Sequence, residues 1–374
     1  MSFSMPVIAV RNLMRRPLST LFTAIGVAIG ITAIIAISGI SKGLERTWQR
    51  AFEVRGADVV VVGKGGGLMS NWLDMSVKDR ILRLDGVADA TAILWAMQSI
   101  EDAPQVVISG REWGGFGWQN LKIIQGRMPR DENEKAAVLG TTAAEVLHKK
   151  VGDTLQIELE EFTITGIVDG GAPLENRSVT LALPLAQKAL GQQGKVNFVN
   201  IRLKRAGVEL AASSLCREIE SVCPNTRATL ARDTLNSNRG FRMLRAGSLA
   251  ITLLATVVGV FGVMNTMLMS VFERTQEIGV LSALGWKRRR IMVLVLLESM
   301  ALSLMGFAIG LGAGLVLIQV LGRSSLLHGL LEPYVGPELV FIALMIAMFV
   351  GVASGLYPAW RGARVSPGVA LRSS

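Results

Sequence analysis

Four stretches of the chain, Leu18–Ile40, Ala246–Phe272, Ser299–Gly322 and Leu339–Trp360, carry no charged side chain. About 20 apolar residues in helical form cross a bilayer core, where backbone polar groups must be satisfied within the segment, so each stretch predicts a transmembrane helix. The third extends back to Ile291 if one carboxylate, Glu298, is tolerated. Between the first two stretches lie roughly 200 more polar residues, enough for one domain or two small ones. The expected fold class is therefore an α-helical membrane protein with four spans in a one-plus-three layout. A large α+β domain is inserted between spans one and two.

Charge placement sets the orientation. Of a formal net charge of +10, the segment Met1–Pro17 (Arg11, Arg15, Arg16), the connector 273–290 and the tail after Trp360 (Arg361, Arg364, Arg372) each hold an excess of three. By the positive-inside rule residues 1–17, 273–290 and 361–374 are cytosolic, the spans run 18–40, 246–272, 291–322 and 339–360, and the 41–245 domain and the 323–338 loop lie outside. Nucleic acid is not an expected partner, because that needs a basic face on a soluble domain rather than charge along membrane boundaries. Membrane lipids are. The first stretch follows basic residues as a signal peptide does, but it is longer than a signal core of about 7–15 residues and reads as an uncleaved anchor.

In the outer domain, Asp58–Val62, Gln105–Ser109, Gln156–Leu159, Phe162–Val168, Val179–Leu183 and Asn197–Leu203 read as strands, and Ser76–Leu84 and Val208–Ser221 as helices. Gly43–Phe52 continues the first span as a stalk with charged flanks and aromatic anchors. The run Gly63-Lys64-Gly65-Gly66-Gly67 is not a phosphate-binding loop, since G-x-x-x-x-G-K-[ST] occurs nowhere in the sequence. His148 and His328 are isolated, with no H-E-x-x-H and no Cys/His cluster, so the expectation is a chain that binds no metal or cofactor and is not itself an enzyme. Cys216 and Cys223 fall where an oxidising compartment permits a disulfide. On one straight helix their Cα atoms would stand roughly 10 Å apart, too far to bridge. A helix end near Ser221, ahead of Pro224, would close the gap, and both readings stay open.

Gly26-x-x-x-Gly30, Gly306-x-x-x-Gly310-x-x-x-Gly314 and Gly351-x-x-x-Gly355 are spacings that let helices approach closely, which suggests a packed bundle with a second copy. Glu298 lies about two turns into the third span. A carboxylate at that depth must face the bundle interior and meet a donor, or carry a proton. A bonding role within the bundle is expected, with proton coupling or cargo contact as the alternative. In the connector, Glu273 and Glu277 share a helical face, Arg274, Ile278 and Leu281 follow at helical spacings, and Gly285 offers a stop before Lys287–Arg290. Taken alone, such a segment is more often a solvated loop that merely turns the chain.

The connector, read with Glu298, resembles the signature of the MacB/LolCDE/FtsX-type permeases, the membrane subunits of type VII ATP-binding-cassette (ABC) systems. Their E-R-x-x-E-I-G-x-x-x-A-x-G run is matched at Glu273, Arg274, Glu277, Ile278, Gly279, Ala283 and Gly285. Arg11-Asn12-Leu13 with Pro17-Leu18 resembles the family's first segment, and Gly355-Leu356-Tyr357-Pro358-Ala359 with Pro367 and Ala370-Leu371-Arg372 its last. Trp360 and Gly362 depart from the commoner residues there. Gly126-Arg127, Gly152-Asp153 and Gly166-Ile167-Val168 resemble the periplasmic core domain.

The resemblance implies a porter subdomain over about 57–110 and 191–235, with a β-rich sabre inserted over about 111–190. It implies coupling of residues 273–285 to an ABC ATPase on a separate polypeptide, two permeases with two ATPases, and ATP and Mg bound on that partner. A periplasmic adaptor is a further partner. The implied function is mechanotransmission across a bacterial inner membrane, exporting or extracting an amphipathic cargo. The alternative is an FtsX-like transducer that activates an outside partner.

Overall fold

The computed structural model describes residues 12, 17–65, 71–101, 105–204, 209–324, 329 and 332–364. Two compact units divide the chain: residues 1–41, 246–320 and 334–374 form one, and residues 42–245 and 321–333 the other. Helix α1 (Pro17–Val54) begins in the first and ends in the second.

The second unit continues through β1 (Val59–Gly63), β2 (Leu73–Asp74), α2 (Ser76–Leu82), β3 (Val87–Gln98), β4 (Val106–Arg111), β5 (Lys122–Gly126), β6 (Ala136–Gly140), α3 (Thr141–Leu147), β7 (Thr154–Ile157), β8 (Glu160–Asp169), α4 (Pro173–Asn176), β9 (Ser178–Ala182), α5 (Leu183–Ala189), β10 (Lys195–Val196), β11 (Phe198–Leu203), α6 (Glu209–Val222), β12 (Thr226–Leu230) and α7 (Thr234–Ser237). One mixed sheet runs β12-β1-β11-β3-β4-β9-β6-β8-β5, with β7 on β8, and β2 pairs β10 separately. The β4–β9 and β6–β8 pairs are parallel.

The valine run of β1 shows why the sheet is buried on both faces. Val59 and Val61 join a core with Leu215 and Ile219 of α6, while Val60 and Val62 join Trp48 and Phe52 of α1. Another core gathers Leu139, Ile164, Val179 and Leu181 under Ala143 and Leu147 of α3. The subdomain boundary expected near residue 110 falls inside β4, which pairs β3 on one side and β9 on the other, so one sheet runs through both expected parts.

One expectation needs correction. The stalk aromatics are not interfacial anchors: Phe52 is fully buried, and Trp48 packs edge-on to Trp95 with ring centroids 5.4 Å apart. Cys216 and Cys223 are free thiols. Helix α6 ends at Val222, within one residue of the stop expected near Ser221, and Cys223 is absorbed in the apolar core with Cys216 packed against it. Burial, reinforced by Glu220, pushes the Cys216 thiol up to about 11, far from a reactive thiolate.

In the first unit follow α8 (Arg239–Glu273), α9 (Thr275–Ala283), α10 (Arg288–Arg323) and α11 (Pro337–Gly362). Helices α1, α8, α10 and α11 are long and apolar enough to cross a membrane, and each uncharged stretch lies within one of them. Glycines set their packing. A Cβ on Gly306 would lie 2.6 Å from Val27, one on Gly310 2.6 Å from the Ala28 carbonyl, and one on Gly314 3.0 Å from Ile35, so this stripe seats α10 directly on α1. Gly351 and Gly355 likewise admit Met300 and Ser299 of α10 against α11. Gly30 rests on Ala255 of α8. Gly26 is exposed, and among the described residues a Cβ there would meet nothing within 4 Å.

Candidate functional site: the connector and its buried carboxylate

The connector is two helices joined through one residue. Arg274, at φ −106° and ψ 18°, interrupts the run between α8 and α9, and the Thr275 hydroxyl donates back to the Phe272 carbonyl at 2.7 Å. At the other end Gly285 stands at φ +86°. The Trp286 amide donates to the Leu281 carbonyl at 3.1 Å and the Gly285 amide to Ser282 at 3.1 Å, a Schellman closure. Open space surrounds Gly285, so its backbone angle rather than crowding calls for glycine. The basic run Arg288–Arg290 then opens α10.

One face of α9 is anchored. Ile278 is buried with Val271, Ile291, Val295 and Ala359, which ties α9 to α8, α10 and α11, and Gly279 is buried beside it. The opposite face is open, with Gln276, Glu277, Val280, Ala283 and Leu284 exposed in helical register. A solvated loop would have no such division.

The buried carboxylate meets its donors. Glu298 is buried, and its Oε1 accepts from Asn12 Nδ2 at 2.6 Å and from Arg274 Nη1 at 2.9 Å. The same Arg274 donates from Nε to Glu277 Oε2 at 3.0 Å. Glu298 thus joins Arg274 and Glu277 in one chain of charge-assisted bonds, from the exposed face of α9 to the interior of α10. Glu273, at the end of α8, lines a cavity of about 410 Å³ with Asn12, Ser270 and Glu298.

Of the connector residues singled out, Arg274, Glu277 and Ile278 carry this geometry, Gly279 and Gly285 the backbone, and Ala283 the open face. The sequence pattern called for a donor to Glu298 but did not identify Arg274, 24 residues away and not a helical neighbour. Among the other flagged residues, Arg11, Arg15, Arg16, Gly66, Gly67, His328, Pro367, Ala370, Leu371 and Arg372 lie outside the described residues. His148 is an exposed helix-ending residue at φ 53°, after α3.

Together the long apolar helices, the mixed-sheet domain inserted after the first of them and the anchored connector define a membrane permease with a periplasmic-type domain. Residues 20–215 match the family described as MacB-like periplasmic core domain, and residues 249–367 the FtsX-like permease C-terminal family. The chain belongs to the MacB/FtsX-type ABC transporter permeases. It is 27% identical to an ABC transporter permease of Methanocaldococcus jannaschii, over 97% of this chain and 96% of that one. It is 28% identical to the macrolide export ATP-binding/permease protein MacB of Chlorobium luteolum, over 97% of this chain but only 59% of that protein. The solved periplasmic region of MacB from Actinobacillus actinomycetemcomitans aligns at 14% identity and a TM-score of 0.38, covering 50% of this chain and 97% of that structure.

Proposed function

We propose that α9 is the surface on which an ABC ATPase acts, and that ATP-driven motion there is carried through the helices to the sheet domain to export or extract an amphipathic cargo. ATP and Mg bind on the ATPase, and this chain supplies no catalytic residue. Two permease copies with two nucleotide-binding partners form the working unit. Both termini and α9 lie in the cytosol, the sheet domain lies outside, and four spans cross the membrane. A periplasmic adaptor is a further candidate partner on the outer side.

The observation that carries this reading is the position of Arg274, bonded at once to exposed Glu277 and buried Glu298. A partner that engages Glu277 and the neighbouring Val280 and Leu284 pulls on a side chain whose other end is fixed to α10. The unbroken run of α8 from Arg239 to Glu273 supports this reading, since one continuous helix leads away from the α9 end. Charge-assisted bonds to Glu277 from the ATPase would each contribute about 1.5–3 kcal/mol when shielded from water.

The test is co-purification of the ATPase with wild type and with Glu277→Lys, together with the ATP turnover of each complex. The proposal expects recovery or coupled turnover to fall at least tenfold, with unchanged membrane insertion. Equal recovery and equal turnover would contradict it.

A further inference from the structure

Outside the connector, one cavity in the second unit gathers positive charge. It has a volume of about 220 Å³ and is lined by Lys64 from the turn after β1, Arg227 from β12, and Arg239 and Arg242 from the first turn of α8; among the described residues no carboxylate lines it. Among the described residues, Lys64, Arg239 and Arg242 make no ion pair. The site is built from three separate elements. Asn71 Nδ2 donates to the Gly63 carbonyl at 2.7 Å and fixes the turn, and Lys64 Nζ donates to the Pro224 carbonyl at 2.9 Å, which holds the ammonium in place. Asn238, nearly buried at the cavity wall, spends its Oδ1 on the Gly240 amide at 2.9 Å, leaving its Nδ2 as an unused donor. The N-terminus of the 35-residue helix α8 adds its own positive potential.

Position narrows the ligand. Arg239 and Arg242 immediately precede the uncharged stretch that starts at Ala246, on the side where the positive-inside rule disfavours basic residues. Basic side chains kept there against that rule need another reason. A cavity this small fits a phosphate group rather than a whole amphipathic molecule.

We propose that this cavity binds a phosphate group, presented by an anionic lipid headgroup at the outer membrane surface or as a free phosphate ion, with Lys64, Arg227, Arg239 and Arg242 as its cationic ligands and Asn238 Nδ2 as a neutral donor. The site is independent of how α9 couples to an ATPase.

The test uses the full chain in maltoside detergent, titrated with dihexanoyl phosphatidylglycerol, with inorganic phosphate and with dihexanoylglycerol, which lacks the phosphate. Wild type should bind phosphatidylglycerol with an affinity that falls as NaCl rises. The double variant Arg239→Gln/Arg242→Gln should bind it at least tenfold more weakly, and Lys64→Gln several-fold more weakly. Inorganic phosphate bound tenfold more weakly than the lipid supports a headgroup site, and equal affinity supports a free-phosphate site. Arg245→Gln is the control, because Arg245 is already paired with Glu45 at 2.6 Å and does not line the cavity. The proposal is overturned if the double variant binds like wild type, if Arg245→Gln loses as much as the double variant, or if dihexanoylglycerol binds as well as the phospholipid.

Discussion

The chain twice joins three arginine and glutamate side chains through one shared member, in two settings with opposite consequences. In the sheet domain Glu175 of α4 takes Arg55 Nε at 2.7 Å on one oxygen and Arg111 on the other, and all three side chains are no more than 2% exposed. The Arg55 guanidinium lies 3.6 Å over the Trp95 ring, and its two terminal nitrogens have no hydrogen-bond partner among the described residues. In the connector Arg274 spans two carboxylates, but one of them, Glu298, is 4% exposed while the other, Glu277, is 52% exposed. Burial closes the sealed cluster to an outside partner, and the cluster ties the end of α1 to the sheet. The connector has one fixed arm and one open arm, which suits an element that must exchange partners without losing its attachment.

The largest effect should come from breaking the sealed cluster. Glu175→Ala leaves two arginines buried with no counter-charge and should destabilise the sheet domain by about 4 kcal/mol. Near-ultraviolet dichroism of the aromatic cluster around Trp48 and Trp95, followed through urea unfolding of the full chain, would measure it. A loss below 1 kcal/mol would mean that Arg55 and Arg111 find other partners.

A smaller effect is tied to pH. Burial alone would raise the Glu175 carboxyl, but Arg111 and Arg55 outweigh it and hold its pKa below the ordinary value. Burial, with Arg111 nearby, pulls Arg55 down to about 10 in spite of Glu175, so both groups are charged at neutral pH. A depressed carboxyl contributes stability that is present in full above its unfolded pKa and is lost as pH falls through the folded one. The sheet domain should therefore weaken below the ordinary carboxylate range, and Glu175→Gln should flatten that part of the profile. An unchanged acid limb would assign the slope to other carboxylates.

The smallest effect marks the open arm. Glu277→Ala removes an exposed i,i+3 pair and should change stability by about 0.5 kcal/mol or less, measured by the same unfolding curve. A loss near that of Glu175→Ala would erase the contrast between the two clusters.

Local pattern and distant pairing differ in how far the sequence reveals them. The long uncharged stretches, the valine strand β1 and the stop at Gly285 are legible because each is decided within one window of residues, by length, alternation or backbone angle. Strand β3 is not, since alanine, threonine and aspartate at its start mask the burial of Leu94 and Trp95; β5 is not, since its five residues are all exposed. The Glu298 site is half legible. Its depth in an apolar run demands a donor, but Arg274 reaches it only because Ile278 packs α9 onto α10 and α11. The Arg55–Glu175 pair, 120 residues apart, leaves no local trace. The helix end near Cys223 is legible from Pro224, but that both thiols pack against one apolar core is not.

The central claim is that Arg274 mechanically joins the exposed face of α9 to Glu298. It is tested most directly by a double-mutant cycle on the ATP turnover of the assembled complex, using Arg274→Gln, Glu298→Gln and both together. If the two residues act through one bond, each single change lowers coupled turnover and the double variant is no worse than the poorer single, a coupling energy of about 1 kcal/mol or more. If the two losses simply multiply, Arg274 and Glu298 act independently, and the connector does not reach the membrane helices through this pair.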